Sequence, residues 1–244
     1  MTLYVVGRGV YCESVSEELP PLKQLVRECT GADVRRVGRF IQLALIGAGR
    51  AAHDLPVDTA LFLSSGRGDM GAMVGVLEAI CAEGRSPRPL NFINTVSNAA
   101  CFYVAQALGL EAASSFISSR HFAFENTLVT AALDMCHHGV DSALVGVVDM
   151  VVDPPVEHVA RLQQATGTTL AEASHWLHLV RDPGERPVHG TIEDMYDFPD
   201  AESFEDWVTG LDLYNTVFGA GQYLGAEASS WCERLELEMW SVPD

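Results

Sequence analysis

Gly139-Val-Asp-Ser-Ala-Leu-Val-Gly-Val-Val-Asp149 is the stretch that decides the fold. From Ser142 to Val148 it is apolar without alternation, which is how a strand buried on both faces of a sheet reads. Just before it, Ala123–His138 puts Leu128, Ala131, Ala132 and Met135 on one helical face, and Gly139 serves as the glycine that ends the helix. Ala113–Ser118, one step further back, reads as another strand. Strand, helix and strand in succession imply an α/β layered fold.

The same rhythm extends outward. Thr2–Tyr11, Asp58–Ser64 and Ala173–Val180 read as strands, and Leu19–Cys29, Val34–Ala52, Asp69–Glu83 and Thr95–Leu108 as helices. The helix over 34–52 carries Val37, Phe40, Ile41, Leu43, Leu45 and Ile46 at near-helical spacing, so it is expected to be mostly buried. A chain of 244 residues, 48% hydrophobic, fits one large domain over 1–244. Residues 182–210 hold Pro183, Pro187 and Pro199, with seven Asp or Glu between 193 and 206, and read as an irregular acidic connector. Residues 211–244 form a C-terminal extension in which Gln222–Leu237 is expected to be helical.

Charge narrows the partners. The formal net charge is −18, from 33 acidic against 15 basic residues, so phosphate backbones and anionic lipid surfaces are repelled. No stretch reads as a membrane span or a secretory signal. Cys12, Cys29, Cys81, Cys101, Cys136 and Cys232 are scattered singly, which reads as reduced thiols in a cytoplasm. Eight histidines are present, none at metal spacing with a cysteine or carboxylate, and Cys136-His137-His138 reads as a dipole-complementing helix end. No metal and no cofactor are expected.

One motif invites a different reading. Gly66-Arg-Gly-Asp-Met-Gly71 is a literal G-x-G-x-x-G between a strand and a helix, the turn that lets backbone approach a pyrophosphate. Three features weaken it. It does not follow the first strand of the chain, Asp69 sits in the turn, and no acidic residue closes a second strand about twenty residues on. A tight strand-to-helix turn is the simpler reading, with a nucleotide-binding domain kept as an alternative.

Pro89-Leu-Asn-Phe-Ile-Asn-Thr-Val-Ser-Asn-Ala-Ala100, the strand–helix–strand that follows and its closing Gly139–Asp149 segment resemble the nucleophile-bearing half of the β-ketoacyl synthases. Val34-Arg-Arg-Val-Gly-Arg-Phe40 resembles that family's early arginine-rich helix start, and Thr169–Val180 its Glu-Gly-Ala strand. The resemblance covers residues 1 to about 180 and implies the thiolase-like layered fold, as one ketosynthase half.

The departures from the family carry the functional expectation. The family's nucleophilic cysteine stands at the start of the helix that here begins His121-Phe-Ala-Phe-Glu-Asn-Thr-Leu128, and matching Leu128 puts Phe124 at the nucleophile position. Phenylalanine has no atom that attacks a thioester. Neither H-G-T-G-T nor N-x-x-F-G-G-x-N, the family's histidine-type motifs, occurs in the chain. Tyr214–Trp231 resembles the segment that ends short ketosynthase-like subunits similar to chain length factors. The resemblance therefore implies a non-catalytic subunit in a heterodimer with a full-length β-ketoacyl synthase of type II polyketide or aryl-polyene pathways. His121, Phe122, Phe124 and Glu125 would shape its pocket or interface. An enzyme with different acyl chemistry on the same half-fold is the alternative. An acyl carrier protein, being acidic, is expected to reach this chain only through the synthase. Arg35, Arg36 and Arg39 are the one local basic cluster that such a carrier could contact, and an ion-paired or solvated helix face is its simpler reading.

Overall fold

The computed structural model describes residues 2–14, 19–35, 37–96, 98–119, 121–152, 171–196, 198–211, 217–218 and 238–239. The chain divides into two compact units, Met1–Met195 and Tyr196–Asp244. In the first, six strands form one mixed sheet: β1 (Leu3–Ser14), β2 (Ala60–Ser65), β3 (Ser114–Ser118), β4 (Ser142–Asp149), β5 (Ala171–Val180) and β6 (Gly190–Ile192), in the order β3-β2-β4-β5-β1-β6. β2 is parallel to both β3 and β4, whereas β5 runs antiparallel to β4 and to β1. Helices α1 (Lys23–Thr30), α2 (Arg39–Ala51), α3 (Met70–Cys81), α4 (Pro89–Asn94), α5 (Ala99–Leu108) and α6 (Ala123–His137) complete this unit.

The alternation of side chains along each strand splits the core into two layers. On one face α2 and α5 cover Leu61, Leu63, Leu144, Val148 and Trp176. On the other, Ala131, Ala132 and Met135 of α6 meet Ala60, Phe62, Ala143, Val145 and Leu179. β4 contributes to both layers, which is why its sequence is apolar without alternation.

Trp176 of β5 is the largest fully buried side chain among the described residues. It lies between Gly146 of β4 and Gly47 of α2: a Cβ on Gly146 would fall 2.2 Å from the indole, and one on Gly47 would fall 2.4 Å from it. Its indole N–H donates to the Ser174 hydroxyl at 2.9 Å. The same helix approaches β1 as closely, since a Cβ on Gly9 would fall 2.0 Å from the Gly47 carbonyl oxygen. Glycine is required at these contacts because no side chain fits, and α2 lies on the sheet backbone itself.

Two residues further along β5, fully buried His178 accepts or donates through Nε2 to the Ser142 hydroxyl at 2.9 Å, and Ser142 bonds Thr59 at 2.8 Å. Burial, with a smaller contribution from the Arg186 charge, pushes the His178 pKa down to about 4.

The stretch 182–210, expected to be irregular, holds two regular elements. β6 pairs with β1 through Leu3↔Ile192, and α7 (Ala201–Thr209) belongs to the second unit. Asp200 caps α7 by accepting from the Ser203 N–H at 2.8 Å, and Tyr196, Phe198, Phe204 and Trp207 pack ring against ring, as in the 4.9 Å Tyr196–Trp207 pair. This unit also contains β7 (Val217–Phe218), parallel to β8 (Glu238–Met239). The helix expected over 222–237 lies outside the described residues.

Two measurements check this packing. Gly146→Ala forces the indole or α2 to move and should cost about 3 kcal/mol, at the high end for overpacking a core, read by urea unfolding. His178 is held neutral in the fold, so the stability it confers is complete above pH 6.5 and is lost as pH falls from 6.5 to about 4. The shift corresponds to at most about 3 kcal/mol. Wild-type stability minus that of His178→Gln should therefore decline across this window; a flat difference would contradict the assignment. Taking the difference removes the opposite-signed contribution of buried carboxyls whose pKa is raised.

Candidate functional site

The parallel strands end together at one edge of the sheet. β2 leads through α3, α4 and α5 to β3 on one side of it, and β3 leads through α6 to β4 on the other. The carboxyl ends of β2 and β4 thus flank a topological switch point, where open α/β sheets place their ligand crevices. Three chain segments meet there: the 66–71 turn after β2, the β3–α6 connection and Asp149 at the end of β4.

The β3–α6 connection is a strained elbow. Phe122, the N-cap of α6, sits in the left-handed region at φ 54° and ψ 37°. For a bulky aromatic residue such a backbone is an outlier that the surrounding structure must hold in place. The hold is visible on both sides: Ser119 Oγ donates to the His121 carbonyl at 2.5 Å, and the Asn126 N–H donates to the Phe122 carbonyl at 2.9 Å. A strained strand-to-helix turn of this kind projects its side chain into the open, which is how nucleophile elbows present a reactive atom. Here the projected group is a phenyl ring, 58% exposed.

The four residues singled out from sequence share this turn but not one environment. His121, Phe122 and Glu125 are exposed, whereas Phe124 turns inward and packs against the α6-side core. The sequence match to Leu128 puts Phe124 at the nucleophile position, while the left-handed residue is Phe122, two positions earlier. Neither ring has a nucleophilic atom. Glu125, in the first helical turn, complements the positive end of the α6 dipole. Among the described cysteines, Cys101 is buried in α5, its thiol pushed up to about 12 by burial, and Cys136 stands near the far end of α6.

The glycine turn after β2 is closed by its own side chains. Asp149 Oδ1 accepts from the Gly66 N–H at 3.0 Å and from the Ser65 hydroxyl at 2.9 Å. Ser65 Oγ in turn accepts from the N–H groups of Gly68 at 2.8 Å and Arg67 at 3.2 Å. Three backbone donors of the turn, those of Gly66, Arg67 and Gly68, are therefore occupied by the chain's own side chains. Surrounding protein raises the Asp149 pKa, against the lowering effects of Ser65, Gly66 and the Arg67 charge. Asp69 is buried and caps α3 by accepting from the Ala72 N–H at 2.9 Å; its second oxygen has no hydrogen-bond partner and lies against Gly38, where a Cβ would be 3.1 Å away. Burial raises its pKa as well.

Arg35 and Arg39 lie in different environments. Arg35 is exposed and lies 3.7 Å from Asp33. Arg36 falls outside the described residues. Arg39 turns inward: it grips Glu172 of β5 with two guanidinium nitrogens, Nε at 2.7 Å, and donates to the Pro20 carbonyl at 2.8 Å. Glu172 is 1% exposed, so this pair ties the start of α2 to the sheet. Its partners are far apart in sequence, and sequence reasoning had no signal for it. Among the described residues no group of three or more His, Cys, Asp or Glu could hold a metal, and no helix is long and apolar enough to cross a membrane.

No family model and no curated protein matches the sequence. Solved structures do. A ketosynthase in complex with its chain length factor from Xenorhabdus doucetiae aligns at a TM-score of 0.54 and 16% identity, over 75% of this chain and 80% of that one. The ishigamide ketosynthase/chain length factor aligns at 0.62 and 15% identity, over 77% of this chain and 64% of that one. A β-ketoacyl synthase from Burkholderia phymatum aligns at 0.55 and 10% identity, over 78% and 62%. In the last two the chain spans less than two thirds of the matched structure. The architecture is thus the thiolase-like fold of ketosynthases and chain length factors, a mixed sheet between helical layers.

Arg39→Met would leave Glu172 buried and uncompensated, at a cost of about 3 kcal/mol. Arg35→Glu, on a solvated side chain, should change stability by less than about 0.5 kcal/mol. Urea melts of the two variants check the contrast.

Proposed function

We propose that this chain is a non-condensing, chain-length-factor-like subunit that pairs with an active β-ketoacyl synthase in polyketide or polyene chain elongation. One observation carries the reading: the strained elbow between β3 and α6, where a nucleophile would be presented, bears Phe122. A carbon–hydrogen ring has no lone pair to attack a thioester and no proton to exchange at neutral pH. The similar fold supports the reading, as does the description of two of the matched structures as a ketosynthase with its chain length factor. The occupied donors of the 66–71 turn speak against the nucleotide-binding alternative.

In this role the acyl carrier protein docks on the synthase. Both the carrier and this chain are acidic, so long-range forces oppose their direct encounter. With Arg39 engaged by Glu172, the basic patch that such a carrier could contact is smaller than its sequence suggests. A subunit that keeps its thiols reduced and works beside a synthase belongs in the cytoplasm.

The two rings then have different jobs. Phe124 fills core, and Phe122 faces outward and limits the space for the growing chain. Phe124→Ala should cost about 2 kcal/mol, below the range for a fully buried ring, and leave product length unchanged. Phe122→Ala should barely alter stability and should lengthen the product made by the purified pair, read by mass spectrometry. Unchanged products from a well-folded Phe122→Ala pair would remove the gating role. Intact-mass analysis after incubation with an acyl-carrier thioester tests the larger claim. The isolated chain should gain no acyl adduct, and a stable adduct on it would end the non-condensing reading.

A further inference from the structure

The turn after β5 and the loop between α2 and β2 bound an open cavity of about 470 Å³ in the first unit. Asp54, Asp182, Pro183, Glu185, Arg186 and Pro187 line it. That volume falls within the range of small-molecule sites. Val180 of β5 pairs with Ser142, the first residue of β4, so the cavity lies at the opposite end of the sheet from the candidate site. Its walls are held by the backbone. Asp182 Oδ1 accepts from the Gly184 N–H at 2.9 Å, and the Arg186 N–H donates to the Pro183 carbonyl at 3.0 Å. Pro183 and Pro187 fix φ at their own positions, so the turn is set before anything enters the cavity.

The charges on these walls are not paired with one another. Elsewhere on the surface Arg35, Arg85 and Arg181 each meet a carboxylate as an ion pair. Arg186 shares its cavity with three carboxylates, yet among the described residues none lies within ion-pair distance of its guanidinium. Asp54 and Glu185 likewise have no cationic partner among the described residues. Opposite charges that line one cavity but stand too far apart to pair leave room for a molecule that pairs with both. Arg186 also connects the cavity to the core. Its charge reaches fully buried His178, whose Nδ1 has no hydrogen-bond partner, and lowers the His178 pKa.

We propose that this cavity binds a small zwitterion of the free amino-acid type, with its carboxylate on Arg186 and its ammonium on Asp54 and Glu185. The inference does not depend on the proposed function. A polyamine would leave the guanidinium facing a like charge, and a simple carboxylate would face three. A molecule that carries both charges finds a charge-assisted hydrogen-bond partner for each.

The test uses the full chain and ligand-observed NMR. Free amino acids covering the side-chain classes are titrated, with putrescine and acetate as controls of a single charge sign. At least one amino acid should bind with a Kd of about 1 mM or tighter, and neither control should. Arg186→Gln and Asp54→Asn should each weaken that binding by roughly tenfold or more while the thermal melt stays put. Asparagine tolerates the left-handed backbone that Asp54 adopts at φ 50°. The His178 imidazole supplies a second readout. A bound carboxylate offsets the Arg186 charge, so the His178 pKa should rise from about 4 on saturation. In Arg186→Gln the same amino acid should leave it unmoved. No binding by any amino acid at about 10 mM, or unchanged affinity in both variants, overturns the site. A His178 pKa that stays put on saturation overturns the placement of the carboxylate on Arg186. Putrescine or acetate binding as tightly as the amino acid overturns the ligand class.

Discussion

Trp176 is the piece around which the rest of the first unit is assembled. An indole fits between β4 and α2 only because position 146 on one side and position 47 on the other carry no side chain. That wedge fixes the antiparallel strand β5 against the parallel strands, and it sets α2 at the distance where its Gly47 carbonyl meets Gly9 of β1. Interiors are packed too densely for such a contact to be adjusted without moving an element. The Arg39–Glu172 pair secures the other end of the same helix, so α2 is pinned at its start by charge and in its second half by shape.

The candidate-site end of the sheet is built on this frame. β2, β3 and β4 are parallel neighbours, so their carboxyl ends reach one edge together, and the connections that leave them converge there. Two of those connections have opposite characters. In the 66–71 turn the N–H groups of Gly66, Arg67 and Gly68 are satisfied internally by Ser65 and Asp149. The elbow at Phe122 keeps a costly backbone and presents a group with no chemistry. Strain of this kind persists where the fold requires the turn, whatever residue occupies it. Under the proposed function, such a turn shapes a pocket for another chain's chemistry.

Much of the first unit was legible in the sequence, for physical reasons that differ by element. β4 was readable because both of its faces are buried, and α2 and α6 because each carries an apolar face of several turns. Strand alternation also separates the two histidines of β5, His178 fully buried and His175 only half-buried. The strand order was not readable, since pairing of β1 with β5 joins residues more than 150 positions apart and leaves no local pattern. β6, with three residues, and α7, with nine, are too short to establish a period, and α7 is stabilised by aromatic contacts with Tyr196 and Phe198 that composition alone does not show. The sequence located the start of α6 at Ala123 but not the strained residue before it, because nothing in phenylalanine favours a left-handed backbone.

The central claim is that this chain contributes form while another chain supplies the condensing chemistry, and reconstitution tests it most directly. The purified synthase of the same genome is assayed for chain elongation on carrier-bound substrates, alone and with increasing amounts of this chain, with products resolved by mass. The account predicts that elongation rises to a plateau at one chain per synthase and that a defined product length appears only with the pair. A synthase that elongates equally well and to the same length without this chain would contradict it.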